Sequence, residues 1–265
     1  MILKEVKDLF KEIRISDIFI YFSLPIIITI IQLFDYLFNI SEMLVLNIRS
    51  PLIWQFLTSS YTHLSLIHFF NNLNSYLIIG LVLLIISSKI NKKKELFVLF
   101  LIISFILPFI ISLFHFLINP FNVEIMAGSS GLVSAYLGLI PLFWSFLFFK
   151  SNENIIKFVL SCFFYVLFAF FFSYYNKIIS LFFLLVSLIM LVYINFKEID
   201  FNNFNKLNYL DKTFFLFPVI FFFLSIHIYV FPSELLMNGA IIEYFSHLIG
   251  ISIGLILSLI YLLIQ

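Results

Sequence analysis

Residues 98–114 read "VLFLIISFILPFIISLF", seventeen consecutive positions without a charge. Apolar and polar residues do not alternate here, so this is not a strand of a membrane barrel, which would present lipid-facing and lumen-facing residues in turn over about ten positions. A helix satisfies all of its own backbone donors and acceptors, which is what a hydrocarbon environment requires. Outward from this stretch, comparable runs fall near 16–37, 65–88, 96–118, 129–149, 157–175, 178–196, 213–231 and 242–264. Each approaches the ~20 helical residues that cross a hydrocarbon core of ~30 Å. The expectation is therefore an all-α polytopic membrane protein with about eight transmembrane helices. Composition agrees: 63% of the 265 residues are hydrophobic and 11% are charged, more apolar surface than a soluble fold of that length buries.

Ahead of the first run, residues 1–15 place Ile2, Leu3, Val6, Leu9, Phe10 and Ile13 on one helical face and charges on the other. That pattern predicts a cytoplasmic amphipathic segment lying in the membrane interface. The first apolar run is longer than a signal-peptide core and ends without a small-residue cleavage site, so it reads as a retained span.

The fifteen Lys and Arg residues predict the topology. With the N-terminus inside, Lys4, Lys7, Lys11, Arg14, Lys89, Lys92, Lys93, Lys94, Lys150, Lys157, Lys197, Lys206 and Lys212 are cytoplasmic, and only Arg49 and Lys177 are outside. This bias predicts both termini in the cytoplasm, in a multi-pass protein of the plasma membrane. A net charge of +1 and the lack of a basic domain leave no reason to expect a nucleic-acid partner. The single cysteine, Cys162, excludes an internal disulfide. Segment 197–212 reads as a polar cytoplasmic loop. The sequence names no oligomeric partner.

The polar residues inside the spans are few and clustered. Ser130, Ser134 and Gly138 follow one another at four-residue spacing along the fourth run, forming a stripe that a neighbouring backbone can approach. The last run carries a matching stripe of His247, Gly250, Gly254 and Ser258. If the stripes face each other, Ser130 and His247 meet one to two turns below the outer surface. On the second run His68, Asn72 and Ser75 share a face at similar depth, with His63 just above. Asn71 and Asn74 read as interhelical hydrogen-bonding groups. Polar groups are costly against lipid, so those on the three helices are expected to face one another.

Such a cluster permits nucleophilic chemistry. A serine hydroxyl needs a base, and a neutral imidazole suits that role near neutral pH. Attack on a carbonyl needs oxyanion donors, which the free N–H groups of a helix N-terminus supply. His68 and Asn72 could converge on the same point.

Together these residues resemble the rhomboid intramembrane serine proteases. The matching motifs are "HLSLIHFFNN", with His63, His68 and Asn72 in H-x4-H-x3-N spacing; "GSSG", residues 128–131; and "SHLIGISIG", a histidine followed by G-x3-G. A weaker match is "WQFLTSSYTH", similar to the family's W-R-x-x-T segment. The resemblance runs from about Trp54 to the C-terminus. It implies a rhomboid-like transmembrane domain over 16–265, with a six-helix core and an extra hairpin within 157–196. It implies Ser130 as nucleophile, His247 as general base, and His68 with Asn72 as oxyanion stabilisers, with His63 in a structural role. The implied partners are the lipid bilayer and transmembrane protein substrates cut in or near their membrane segments; no cofactor or metal is implied.

Three positions depart from the family pattern: Gln55 replaces the arginine, Ser246 stands where alanine is usual before the histidine, and Ser134 occupies a position often aromatic. Two other functions compete. An inactive rhomboid-like protein that binds or escorts membrane clients would have no chemical need for both Ser130 and His247. A transporter would carry polar or charged groups at the midplane, where this chain has no acids. A metal site is disfavoured for the five histidines, His63, His68, His115, His227 and His247, because there is no H-E-x-x-H and no carboxylate within a turn of His68 on its face. Glu243, four residues before His247, could orient it.

Overall fold

The computed structural model describes residues 13–118, 124–174, 177–194, 218, 220–226, 230, 236–237, 240–241 and 244–264. The amphipathic segment before residue 13, the 197–212 loop, His227 and Glu243 lie outside the described residues, as does most of the run at 213–231. The other seven apolar runs form helices: α1 Ile15–Phe38, α4 Leu66–Lys89, α5 Lys93–Phe105 continuing as α6 Leu107–Ile118, α7 Ser130–Phe148, α8 Asn152–Tyr174, α9 Lys177–Val192 and α10 Tyr244–Ile264. Two single-turn helices, α2 Ser41–Leu44 and α3 Gln55–Thr58, lie between α1 and α4. Among the described residues six helical segments are long and apolar enough to cross a membrane, with α5 and α6 counted as one, and Lys177–Val192 is a shorter apolar helix. Two-residue strands, β1 Leu46–Asn47 with β2 Ile125–Met126, and β3 Leu236–Met237 with β4 Ala240–Ile241, pair antiparallel in the connections.

Helix α7 is the axis of the bundle. Every residue from Ser130 to Phe143 is buried, with α10 packed along its length and α4, α8 and the α5–α6 pair around it. The outer helices turn large apolar side chains outward: Ile26, Ile30, Leu33 and Phe34 on α1, Leu181, Phe182, Leu185 and Leu188 on α9. Water would penalise so much exposed hydrocarbon, and a bilayer does not.

Prolines shape two of the spans. Pro25 has no N–H to donate to the carbonyl four residues earlier, and that carbonyl, of Tyr21, accepts the Tyr76 hydroxyl of α4 at 2.8 Å. Pro108 does the same to Ser104, whose carbonyl accepts the Tyr61 hydroxyl; this proline follows the break at Ile106 that divides α5 from α6. In each case a tyrosine from another element supplies the donor that the helix lacks, as a span in lipid requires.

The ends of the bundle are tied by polar contacts. The Lys93 ammonium meets the Asp17 carboxylate at 2.8 Å, and the Tyr21 hydroxyl donates to the Lys93 carbonyl at 2.7 Å. Its neighbour Lys92 donates to the Tyr261 hydroxyl at 3.0 Å and lies 4.5 Å from the Phe146 ring centre. The start of α1 and the end of α10 thus lie at the same end of the bundle. Asn91, in the left-handed region at φ 56°, makes the tight turn between α4 and α5 there. Burial alone would raise the Asp17 carboxyl, but hydrogen bonds from Lys93 and Arg14 outweigh it and hold the group at about 2.

Helices α8 and α9 form an antiparallel hairpin. Ser161 and Ser187 exchange hydroxyl-to-carbonyl hydrogen bonds at 3.0 and 2.9 Å, and the Phe171 and Phe183 rings stack at 5.3 Å. In hydrocarbon such reciprocal bonds satisfy both hydroxyls at once.

Candidate active site

The site lies at the end of the bundle where α7 begins, and the segment between α1 and α4 builds its floor. Gln55 is buried there and works as an anchor without a charge. Its side-chain oxygen accepts from Asn47 N and Leu52 N at 3.3 and 3.0 Å, and its amide nitrogen donates to the Met43 carbonyl at 3.4 Å. Trp54 Nε1 donates to the same carbonyl at 2.9 Å, and Thr58 Oγ1 to that of Leu44 at 2.7 Å. Trp54, Gln55 and Thr58 therefore all tether this loop. β1 then pairs with β2, with Leu46 opposite Met126 and Asn47 opposite Ile125, and Arg49 pairs with Glu124. The strand pair delivers the chain to Gly128, whose N–H donates to the Ser59 carbonyl at 2.9 Å.

Gly128 has φ 126°, and a Cβ there would sit 2.7 Å from His68 Cε1. Only glycine allows this backbone with an imidazole lying over it. The His68 ring meets the His63 ring edge to face at 5.2 Å. His63 is the hub of the cluster: its Nε2 lies 3.0 Å from Asn72 Nδ2, 3.1 Å from Ser129 Oγ and 3.3 Å from the Ser129 backbone N. A backbone N–H can only donate, so Nε2 is the acceptor and Nδ1 carries the proton. The His63 backbone N–H donates to Gln32 Oε1 of α1 at 3.1 Å. Burial, with the nearby His68 adding to it, lowers the His63 pKa to about 3, so the ring is neutral at physiological pH.

On the other side of α7, α10 approaches closely. A Cβ on Gly250 would fall on the Gly131 carbonyl oxygen and one on Gly254 on that of Ala135, while one on Gly138 would lie 2.6 Å from the Ile251 oxygen and 3.2 Å from Gly254 Cα. The two small-residue stripes do face each other, with a correction. The seam on α7 runs through Gly131, Ala135 and Gly138, one residue round from Ser130 and Ser134, because the α10 backbone needs positions with little or no side chain at the crossing. Ser134 Oγ is enclosed without a hydrogen-bond partner among the described residues. Asn71 and Asn74 are exposed, not interhelical, because the α4 face turned to the site is that of His68 and Asn72.

Ser130 immediately precedes Gly131, and His247 stands one turn before Gly250, so both flank the first crossing of the seam. They are 8% and 5% exposed. His247 Nδ1 lies 2.8 Å from the Val230 carbonyl oxygen. A carbonyl can only accept, so Nδ1 carries the proton and Nε2 keeps its lone pair, the tautomer a general base needs. At the head of α7 the Ser129 side chain turns to His63 instead of capping the helix, so the first-turn N–H groups take no cap from it.

Two serine–histidine hydrogen bonds form here, Ser129 with His63 and Ser246 with His115. Neither arrangement suits a nucleophile. His63 at about 3 is a poor base, and Ser246 lies within α10 against a His115 that is 0% exposed. His63, read from the sequence as structural, lies at the centre of these contacts. The Gln55 anchor and the Ser246–His115 pair are what the sequence reading missed, because Gln55 and Ser246 stood out there only as departures from the motifs of the resemblance.

Fold and site together define an all-α polytopic membrane protein with a buried serine–histidine–asparagine cluster at one end of its central helix. No family model, curated protein or solved structure matches the chain.

Proposed function

We propose that this protein is an intramembrane serine endopeptidase of the rhomboid type, with Ser130 as nucleophile and His247 as general base. The observation that carries the reading is the glycine seam between α7 and α10, which sets the Ser130 and His247 turns side by side while Val230 holds His247 in the base tautomer. Ser130 Oγ attacks the scissile carbonyl as its proton passes to His247 Nε2. The oxyanion meets N–H groups at the head of α7, with His68 and Asn72 beside them. The proton then goes to the leaving amine, and water resolves the acyl-enzyme by the same route in reverse order.

The substrates of this reading are membrane-anchored proteins cut in or near their transmembrane segments. The architecture proposed with it is a six-helix core plus the α8–α9 hairpin, eight spans in all, with both termini cytoplasmic in the plasma membrane. The hairpin adds an even number of crossings, so α10 still brings His247 to the end where α7 begins. The test is covalent labelling by a fluorophosphonate probe together with cleavage of a model transmembrane substrate in proteoliposomes. The parent should label and cleave and Ser130→Ala should do neither; cleavage by Ser130→Ala would refute the assignment.

A further inference from the structure

Ser246, where the family pattern has alanine, is engaged. Its Oγ lies 3.0 Å from His115 Nε2, and both side chains are enclosed. The bond joins α6 to the turn of α10 that carries His247. One turn earlier on α6, Ile111 Cδ1 lies 2.6 Å from the point where a Cβ on Gly131 would sit, and the Ser246 carbonyl oxygen lies 3.0 Å from that same point. Between them, Ser112 Oγ hydrogen-bonds Ser59 Oγ at 3.1 Å, and the Ser59 carbonyl holds the Gly128 N–H. A single turn of α6 therefore reaches Gly131, just after Ser130, the segment that fixes Gly128, just before it, and the residue next to His247.

We infer that His115 is a positioning residue: through its hydrogen bond to Ser246 it fixes the rotation of the His247 turn relative to Ser130. The inference rests on the protease reading above. Ser246 and His247 are rigidly linked on one helix, so any rotation that drew Ser246 from His115 would swing His247 through the same angle. At a side-chain radius of ~6 Å, a slip of ~10° moves an imidazole by ~1 Å, and a displacement of ~1 Å at a reacting group costs on the order of 100-fold in rate. The glycine seam sets the distance between α7 and α10 through backbone contacts alone, which resist rotation less than a side-chain hydrogen bond does. His115 supplies one from the α6 side, and Val230 supplies another to His247 itself.

The test uses the purified full chain in proteoliposomes, with His115→Ala, Ser246→Ala, their double variant and His115→Gln, whose amide can replace Nε2 in the bond. Activity is expressed per folded molecule, from size-exclusion and thermal unfolding of each variant. Each alanine variant should lower kcat by about 10- to 100-fold with KM nearly unchanged and slow fluorophosphonate modification of Ser130 by a similar factor. The double variant should be no worse than the worse single one, because one bond is lost in all three. His115→Gln should recover most of kcat. If His115 only stabilises the fold, yield will fall while kcat per folded molecule stays at the parent value, and that result, or losses that multiply in the double variant, overturns the inference. A parent that neither cleaves nor labels takes the protease reading down with it; an active parent matched by the His115 and Ser246 variants removes this inference alone.

Discussion

The Tyr76 hydroxyl donates to the carbonyl of Tyr21 at 2.8 Å, the acceptor that Pro25 leaves without its helical donor. Tyr61 stands in the same relation to Ser104 and Pro108. Tyr76→Phe and Tyr61→Phe keep the ring packing and orphan a buried carbonyl, at a cost of about 1–3 kcal/mol each. Thermal unfolding in detergent reads the loss, and an unchanged midpoint in both would show that the carbonyls find other donors.

Gly250→Ala and Gly254→Ala should separate α7 from α10, since each added Cβ falls on a backbone oxygen of α7. Overpacking of this kind costs about 1–3 kcal/mol or more, and the site should lose cleavage even where the variant still folds. Gly80→Ala is the control, because its Cβ would meet only Tyr76 at 3.8 Å. Equal behaviour of Gly80→Ala and Gly250→Ala would contradict the seam.

On the proposed assignment, Ser130→Ala, His247→Ala and the double variant should be almost equally inactive, because a nucleophile and its base act as one unit and their losses do not add. His68→Ala and Asn72→Ala should retain measurable turnover, each down by about 10- to 1000-fold, as when one oxyanion donor among several is removed. Cleavage kinetics with each variant decide the matter; residual turnover in Ser130→Ala equal to that in Asn72→Ala would be incompatible with the assigned roles.

Stability should fall as pH drops from about 6.5 toward 3, and His63 contributes to the loss. Its folded pKa is held near 3 while the unfolded chain has the ordinary histidine value, so across that window the unfolded state binds the extra proton and is favoured by acid. The Asp17 carboxylate, lowered to about 2 in the folded state, adds a second loss in the same direction below about pH 4. His63→Gln should flatten the upper part of the unfolding-midpoint profile and Asp17→Asn the lower part. Parallel profiles for parent and His63→Gln would assign the acid sensitivity elsewhere.

Cysteines placed at Ser50 and Asn91, both exposed, in a Cys162→Ala background should react with an impermeant thiol reagent from opposite sides of the membrane. The lysine bias predicts Asn91 on the cytoplasmic side and Ser50 on the other. Labelling of both from one side would overturn the proposed orientation.

The class of this protein was legible from sequence because membrane spanning is a local property. About twenty apolar residues suffice to define a span, and the run at 98–114 needs no partner to be read. The polar motifs were legible for a related reason: a histidine, an asparagine or a G-x-S-G stands out against helices that are otherwise uniformly apolar. Which way each helix faces was not legible. Lipid and core are both hydrocarbon, so a span lacks the polar–apolar contrast that orients a helix in water, and only packing decided that Gly131, Ala135 and Gly138 form the seam instead of Ser130 and Ser134. The same holds for Tyr76 on Tyr21, Gln55 under the loop, His63 on Ser129 and His115 on Ser246. Each is a hydrogen bond between residues 8 to 131 positions apart, formed only when two elements stop at a rotation and depth that place donor and acceptor about 3 Å apart, and that is settled by the tertiary fold, where an unpaired polar group in hydrocarbon costs more than the rearrangement that pairs it.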